Sequence, residues 1–346
     1  MTKIFRWAGI VLFALGVIGL IVCGVFLAGY AAQRSERLHA LERDSRIVST
    51  SAGDIEVVTA GPEDAPAVLV LHGTPGGYDQ ALAIGKAFAT DDHLIVAPSR
   101  PGYLRTPFVN GFLFAEQADA MVALLDSLKI PDAAVVGYGA GAVVAAEMAI
   151  RHPGRIRGLV LISPPTVPLP SVASGMFSGI NFLGARVMSD VGGDLGAFLF
   201  LRGWENDPVK TTADVLARDV RANDLTAAAE FIVNDPEQRD LMHAILKSIY
   251  PLSPRETGAR NDLAHLRHPQ PVDFASINCP VLVLSGADDY AIEVVKPALI
   301  LESAPDATSE VVAGAGSMVW FGPSAPGVKE KIRDFLRNLP PPLPAE

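Results

Sequence analysis

The sequence predicts an α/β fold, in which a mostly parallel sheet is flanked by helices, with an inserted helical cap and an N-terminal transmembrane helix. Three observations predict it. From about Ile47, short apolar runs rich in β-branched residues alternate with longer helical patterns, as in parallel sheets that helices cover on both faces. This alternation stops after Ser163 and resumes at Val281. Finally, residues 7–30 form an apolar run that contains no charged residue.

These observations divide the chain into segments of different character. At 346 residues and 49% hydrophobic content, the chain is long for one domain and short for two, which favours one core with an insertion. The predicted segments are a membrane anchor over residues 1–32, a spacer over 33–46, an α/β core over 47–170 and 272–338, a helical cap over 171–271, and a Pro-rich tail over 339–346.

The apolar run at residues 7–30 is the first element. As a helix it would span roughly 36 Å at about 1.5 Å per residue, enough to cross a bilayer. The alternative is a cleaved signal peptide, whose apolar region is normally about 7–15 residues long. The length therefore favours an uncleaved anchor. The following charged segment, 33–46, is compatible with a helix and is interpreted as a spacer.

The orientation of this anchor depends on the flanking basic residues. Lys3 and Arg6 precede the run, whereas Arg34, Arg37 and Arg43 follow it. The short basic N-terminus favours a cytoplasmic N-terminus under the positive-inside rule. The globular part is then expected outside the cytoplasm.

Within the core, strands and helices are assigned by length and periodicity. The predicted strands are Ile55–Thr59, Ala67–Leu71, Leu94–Ala97, Ala134–Val136, Leu159–Ile162, Val281–Leu284 and Glu310–Val312. The predicted helices are Tyr78–Ala89, Phe114–Leu128, Ala140–Arg151, Ile292–Glu302 and Pro326–Leu336. The cap follows a Pro-rich entry after Ser163 and is mainly helical. The tail at 339–344 reads LPPPLP, an extended segment that is either a plain solvated end or an SH3-like ligand.

Two loops at strand ends carry the first chemical signal. Residues 72–77, HGTPGG, form a Gly-rich turn whose backbone N–H groups suit a developing oxyanion, although glycine also serves ordinary tight turns. Residues 98–103, PSRPGY, follow the next strand. With these motifs in order over about residues 50–335, the chain resembles the α/β-hydrolase superfamily, in particular small-molecule hydrolases with HGxPG and SRPGY loops.

The resemblance implies a nucleophile in a G-x-S-x-G turn between a strand and a helix. At that place the chain reads GYGAG over residues 137–141, so Gly139 stands where the family has serine. Shifting the frame does not restore a nucleophile, because residues 133–149 contain no Ser, Cys or Asp. The backbone groups implied for the oxyanion site belong to Gly73, Thr74, Tyr138 and Ala140.

The resemblance also implies an acid after a late strand and a histidine after the last strand. Asp289 takes the acid position in GADD, with a helix N-cap as its ordinary alternative. Ser317 stands at the histidine position in the run AGAGSM. Two of the three catalytic positions are therefore replaced, and the remaining carboxylate has no imidazole to orient.

We expect no other residue to replace the missing nucleophile and histidine. A Ser317–Asp289 pair lacks a strong base, and His72 is expected to hold its loop through its ring nitrogens. His265 and His268 lie three residues apart, but no third ligand completes a metal site nearby. We predict no metal and no cofactor.

Composition bears on which classes of binding partner the protein can have. The net charge of −10 argues against nucleic acid, because phosphate binding needs a basic surface. Cys23 and Cys279 are too few and too far apart for a disulfide framework. The preferred hypothesis is a membrane-anchored, catalytically impaired family member that binds a small apolar ligand or a partner. The alternative is an active, esterase-like hydrolase that uses a non-standard site on a small apolar substrate.

Overall fold

The chain forms two units in the computed structural model, an N-terminal unit over residues 1–44 and a globular unit over residues 45–346. The structure describes residues 2–89, 92–108, 113–168, 190–221, 224–289 and 296–343. Helix α1 covers Thr2–Arg43, so the predicted spacer continues the helix of the predicted anchor. Within its section Leu12–Arg43, an 18-residue window reaches a mean hydropathy of 2.6. By length and composition this helix can cross a membrane, a property that N-terminal signal sequences share.

The globular unit is built on one eight-stranded sheet in the order β1-β2-β4-β3-β5-β6-β7-β8. The strands are β1 (Arg46–Thr50), β2 (Gly53–Ala60), β3 (Ala67–Leu71), β4 (Leu94–Pro98), β5 (Ala133–Tyr138), β6 (Ile156–Ile162), β7 (Val281–Gly286) and β8 (Ala307–Val312). Strand β2 is antiparallel to both of its neighbours, β1 and β4, and every other pairing is parallel. The sheet is therefore mostly parallel, as predicted.

Helices cover both faces of this sheet. The core helices are α2 (Tyr78–Phe88), α3 (Phe114–Ser127), α4 (Ala140–Arg151), α10 (Pro297–Leu301) and α11 (Ala325–Arg337). Buried residues of β3 alternate between two apolar cores, with Leu69 and Leu71 facing α3 and α4 and with Val68 and Val70 facing α2 and α11. This period of two is what a fully covered strand requires.

The cap lies between β6 and β7 and is mainly helical where it is described. Its helices are α5 (Asp190–Asn206), α6 (Pro208–Asp219), α7 (Leu225–Asn234), α8 (Pro236–Lys247) and α9 (Glu256–Arg267). Asp207, Asp224 and Asp235 cap α6, α7 and α8, each accepting a hydrogen bond from a backbone N–H of the first turn. Apolar cap residues such as Leu216, Ile232 and Met242 join the core on the α2 side of the sheet.

Some predicted elements differ from the structure or lie partly outside it. Strand β1 was not predicted, and its exposed edge carries no apolar alternation. The first part of the predicted cap, 171–189, and the first part of the predicted helix Ile292–Glu302 lie outside the described residues. Residues 340–343 of the tail are exposed, but they also bond to the globular unit. The backbone N–H of Leu343 donates to Asp132 at 2.7 Å, and Arg157 donates to the carbonyl of Pro340 at 3.2 Å.

Candidate active site

The turn between β5 and α4 carries Gly139 in a backbone conformation that side chains rarely adopt. Its φ is 54° and its ψ is −119°, a sparsely populated region that costs a non-glycine residue about 1–3 kcal/mol. The flanking glycines allow close packing, since a Cβ on Gly137 would lie 2.5 Å from the Cα of Ala142. The local geometry is that of a strand-turn-helix elbow that presents its central residue at the strand end.

Space for a side chain exists at this elbow. A Cβ built on Gly139 meets no heavy atom within 4 Å. Ala140 is the first residue of α4, and the first N–H groups of a helix have no partner within that helix. The helix N-terminus therefore directs donors and a partial positive charge toward this position. What the position lacks is a nucleophilic atom.

Ser317 lies beside this elbow, in the loop that follows β8. Its Oγ is 3.0 Å from the Tyr138 hydroxyl, and Tyr138 directly precedes Gly139. The Ser317 hydroxyl also donates to Oδ1 of Asp219 at 2.5 Å. The Ser317 hydroxyl has a single hydrogen and donates it to the hydrogen bond with Asp219, so the Tyr138 hydroxyl is the donor in its hydrogen bond with Ser317. The result is a directed chain from Tyr138 through Ser317 to Asp219.

Asp219 is the last residue of cap helix α6, and its role was not predicted from the sequence. Besides the serine hydroxyl, its carboxylate accepts the backbone N–H of Ser317 at 3.0 Å and that of Met318 at 3.3 Å. Gly316 packs so closely against it that a Cβ there would overlap the carboxylate. Burial raises the pKa of Asp219, and the hydrogen bonds from Ser317 and Met318 oppose that shift.

Asp289 follows β7 and is fully buried. It forms an antiparallel bridge with Val220, and the N–H of Arg221 donates to the carbonyl of Asp288 at 2.7 Å. The cap segment 219–221 therefore contacts both the loop of Asp289 and the loop of Ser317. Burial raises the pKa of the Tyr138 phenol, and the negative charges of Asp219 and Asp289 raise it further. The predicted positions Gly139, Asp289 and Ser317 thus lie at the same carboxyl edge of the sheet.

The Gly-rich turn lies against the same elbow. The ring of Tyr138 packs onto Gly73, where a Cβ would lie 2.6 Å from the ring. The Gly73 N–H donates to Oε1 of Gln80 at 2.9 Å, so it is already used in this structure. Gln80 also donates to the carbonyl of Pro75 at 3.0 Å. Of the predicted oxyanion donors, the backbone groups of Thr74 and Ala140 remain the better candidates.

His72 is fully buried and holds the turn through both ring nitrogens. Its Nε2 accepts the backbone N–H of Arg100 at 3.0 Å, and its Nδ1 donates to the carbonyl of Gly73 at 2.8 Å. Burial lowers the pKa of His72 well below its ordinary value, and the positive charge of Arg100 lowers it further. A neutral imidazole with both nitrogens engaged is a structural group and does not serve as a substitute base.

A buried ion pair links the cap to this turn. Arg100 and Asp262 of α9 are both fully buried, and the guanidinium donates to the two carboxylate oxygens at 3.0 and 2.5 Å. The Tyr103 hydroxyl donates to the same carboxylate at 2.6 Å, as does the Thr74 hydroxyl. Arg100 further donates to Gln117 at 2.9 Å. This network connects the SRPGY loop, the oxyanion turn and the cap, and Asp262 was not predicted from the sequence.

Comparison with known proteins decides the family. A family model described as the alpha/beta hydrolase fold matches residues 66–320, most of the globular unit. The chain belongs to the α/β-hydrolase family. This α/β hydrolase has the sheet order, the elbow and the inserted cap described above, and the resemblance stated from its sequence motifs is confirmed.

Individual relatives match this α/β hydrolase over part of their length. It is 30% identical to epoxide hydrolase A of Mycobacterium tuberculosis over 131 residues, which is 37% of this chain and 40% of that protein. It is 29% identical to 2-hydroxymuconate semialdehyde hydrolase of Pseudomonas putida over 113 residues, 32% of this chain and 40% of that one. The chain thus spans about two fifths of the length of these curated relatives.

Solved structures show the same fold. An α/β-hydrolase-fold protein from Nakamurella multipartita aligns with a TM-score of 0.71 and 23% identity, over 85% of this chain and 99% of that one. A thermophilic esterase from Thermogutta terrifontis aligns with a TM-score of 0.57 and 17% identity, over 85% and 98% of the two chains. At these identities the similarity shows the fold alone.

No metal site accompanies the elbow within the described part of the chain, which contains no group of three or more His, Cys, Asp or Glu side chains placed to hold an ion. His265 packs beside the ring of Phe114, with the ring centroids 5.7 Å apart. His268 is exposed.

Asp219 and Asp262 had no sequence motif to mark them. The one available indication was their position in cap helices, which fold over the carboxyl edge of the sheet.

Proposed function

We propose that this α/β hydrolase is a membrane-anchored protein that lacks conventional serine-hydrolase activity and binds a small apolar ligand or a protein partner. The observation that carries the proposal is Gly139. It occupies the elbow in the conformation expected of a nucleophile, yet it has no side chain. The scaffold that would present a nucleophile is therefore kept, while the nucleophile itself is missing.

The missing groups remove both halves of the covalent mechanism. Without a hydroxyl at Gly139 no acyl-enzyme forms there, and without an imidazole at Ser317 no base accepts the proton. Loss of the nucleophile or of the histidine of such a catalytic unit costs about 10⁶ in turnover, and binding and the oxyanion site leave only about 10³–10⁴ over water. Asp289 is retained but has no imidazole to orient.

Ligand binding is supported by the surroundings of the elbow. Tyr138, Gly139 and Ser317 are half-exposed, so the site is open to a small molecule. Tyr138 and Met318 also pack against the apolar cluster that the cap shares with the core. A concave site with apolar walls and a few polar groups is the usual form of a small-molecule pocket. Hydrolase relatives of this chain act on small organic molecules by their names, which fits this size class.

The proposed location follows from the N-terminal helix. We place the helix across a membrane through residues 7–30, with the globular unit outside the cytoplasm. Membrane fractions washed at alkaline pH should retain the full chain. Protease added to intact cells or spheroplasts should then cleave the globular unit. Release by the alkaline wash would contradict the anchor, and protection from protease would contradict the orientation.

A fluorophosphonate probe tests the catalytic part of the proposal. The probe labels serines that a nearby base activates, so the wild-type chain should remain unlabelled. A general serine hydrolase treated in parallel serves as a positive control. Clear labelling of one serine in the folded wild-type protein would contradict the proposal.

A second candidate function, ester hydrolysis with Ser317 as the nucleophile, is favoured by one specific observation. The Ser317 hydroxyl lies 2.5 Å from the carboxylate of Asp219, whose pKa is raised by burial. In this mechanism, Ser317 Oγ attacks an ester carbonyl while its proton passes to Asp219. The proton then goes to the leaving alcohol, and water hydrolyses the acyl-enzyme. A carboxylate is a weak base toward a serine hydroxyl, which makes this the second candidate.

One variant, Ser317→Ala, distinguishes the two candidate functions. If Ser317 is a nucleophile, the wild-type chain hydrolyses p-nitrophenyl acetate and takes up the fluorophosphonate, and Ser317→Ala abolishes both. If the proposal is correct, wild type and Ser317→Ala give the same background rate. Ser163→Ala is a matched control, because the Ser163 hydroxyl bonds the backbone carbonyl of Ser317 at 3.0 Å without contacting Asp219 in any described hydrogen bond.

A further inference from the structure

The hydroxyl groups beside Gly139 belong to a directed chain of hydrogen bonds. The Tyr138 hydroxyl donates to Ser317 Oγ at 3.0 Å, and the Ser317 hydroxyl donates to Oδ1 of Asp219 at 2.5 Å. A hydroxyl has one hydrogen and two acceptor lone pairs. Both hydrogens are therefore used within this chain of hydrogen bonds. A ligand at the elbow can donate to these two oxygens, but it receives no hydrogen from them.

The charge of Asp219 sets this direction. Its carboxylate accepts the Ser317 hydroxyl and the backbone N–H groups of Ser317 and Met318. Three donors favour the charged form of a carboxylate, against the effect of burial. A carboxylate can only accept, so the serine must donate to it. Tyr138 then presents an oxygen that, within the described part of the chain, accepts no hydrogen bond.

Both side chains are half-exposed beside the elbow. Gly139 is half-exposed too, and a Cβ there would meet no heavy atom within 4 Å. A donor bonded to Ser317 Oγ at about 2.8 Å would lie within about 5 Å of Oδ1 of Asp219. At about 4–6 Å, an opposite charge favours an ionised group by about ten- to a thousandfold. This side of the site therefore favours a donor that carries a positive charge.

The first turn of helix α4 has the opposite preference. The helix begins at Ala140, and a helix N-terminus carries about half a positive charge. That end favours an acceptor, such as a carbonyl oxygen, above Gly139. The carboxylate of Asp219 carries a full negative charge behind Ser317. A cationic group of a ligand is therefore directed to the hydroxyl side of the site.

We infer that the ligand of this site is a small apolar amine, whose protonated nitrogen donates to Tyr138 Oη and Ser317 Oγ beside the Asp219 carboxylate. The inference rests on the proposed ligand-binding function and gives that ligand a chemical class. Tyr138 and Ser317 contact the ligand, and Asp219 is a positioning residue that acts through Ser317. The apolar body of the amine has apolar neighbours in Tyr138 and Met318, which pack against the cluster shared by cap and core.

Three probes of similar size test the class of the ligand: benzylamine, benzyl alcohol and phenylacetate. They share an apolar ring and differ in a cationic, a neutral or an anionic polar end. Each is titrated into the full chain in detergent at neutral pH. Tryptophan fluorescence reports binding, because the Trp320 ring lies 4.9 Å from that of Tyr138. Benzylamine should bind at least about tenfold tighter than phenylacetate, with benzyl alcohol between them.

Two variants remove the proposed interactions. Tyr138→Phe deletes the acceptor oxygen and keeps the aromatic ring, and Asp219→Asn removes the charge. Each should reduce the preference for benzylamine over phenylacetate about tenfold. Both dissociation constants come from one sample, so a loss of folded protein does not change their ratio. Asp214→Asn is the matched control, because it removes an equal charge from the same helix, where Asp214 is exposed and pairs with Lys210. It should leave the ratio unchanged.

The outcomes separate this inference from the proposed function. Equal or tighter binding of phenylacetate by the wild-type chain would overturn the inference and leave ligand binding in place. A preference for benzylamine that neither Tyr138→Phe nor Asp219→Asn reduces would also overturn it, as would a lack of binding by all three probes. Fluorophosphonate labelling of the wild-type chain would instead overturn the proposed function, and the ratios of the dissociation constants would still test the amine class.

Discussion

Replacing Gly139 by alanine tests whether the elbow has the backbone conformation described. With φ at 54° and ψ at −119°, any side chain meets backbone strain of about 1–3 kcal/mol. A Cβ there meets no heavy atom within 4 Å, so packing adds nothing to that cost. Gly139→Ala should therefore lower the free energy of unfolding by about 1–3 kcal/mol, and Gly139→Ser should lower it by a similar amount.

Gly154 provides the matched control. It lies in the turn Pro153–Arg155, it is exposed, and a Cβ there also meets nothing within 4 Å. Its φ is not in the left-handed region, so Gly154→Ala should stabilise the chain by about 0.4–1 kcal/mol through the entropy of the unfolded state. Urea unfolding of the full chain in detergent, followed by tryptophan fluorescence, measures both. If the two alanine variants shift the midpoint in the same direction by the same amount, the elbow conformation assigned to Gly139 is wrong.

Three further predictions concern the buried groups and the site. Asp262→Asn should lower the free energy of unfolding by about 3–5 kcal/mol, because Arg100 would keep a buried charge without its partner; the exposed control Asp214→Asn should stay within about 0.5 kcal/mol, and equal urea midpoints would refute this. His72 stays neutral in the fold and protonates on unfolding, so stability should fall as pH drops below about 6.5, by at most about 1.4 kcal/mol per pH unit; His72→Gln should flatten that slope in pH-dependent urea curves. Gly139→Ser combined with Ser317→His should restore some hydrolysis of p-nitrophenyl acetate, and a folded but inactive double variant would count against the placement of the catalytic positions.

Local patterns account for the parts of the molecule that the sequence predicted. Strands β3 to β7 are apolar because both faces of a covered sheet are buried, so each was visible without knowing its neighbours. The elbow could be recognised from the sequence because its three glycines fall within five consecutive residues, 137–141. Strand β1 escaped notice for the opposite reason. Its residues, Arg46–Thr50, lie at an exposed edge and pair only with β2, which leaves no apolar alternation to detect.

Distance along the chain explains what the sequence did not reveal about the site. Asp219 is 98 residues from Ser317, and Asp262 is 162 residues from Arg100. Neither aspartate stands in a motif, and a single acidic residue in a polar helix is usually solvated. Their roles depend on how the cap folds over the sheet, which composition and periodicity do not encode. By contrast, the absence of a hydroxyl at Gly139 could be read directly from the sequence.

The pairing of Arg100 with Asp262 also bears on how the chain folds during synthesis. Arg100 emerges from the ribosome well before Asp262, yet its guanidinium is fully buried in the finished protein. Until the partner arrives, the carboxyl end of β4 carries a charge that is costly to bury alone. The first half of the sheet therefore cannot reach its final packing early. Completion of the last cap helix, α9, is the step after which this edge of the sheet can close.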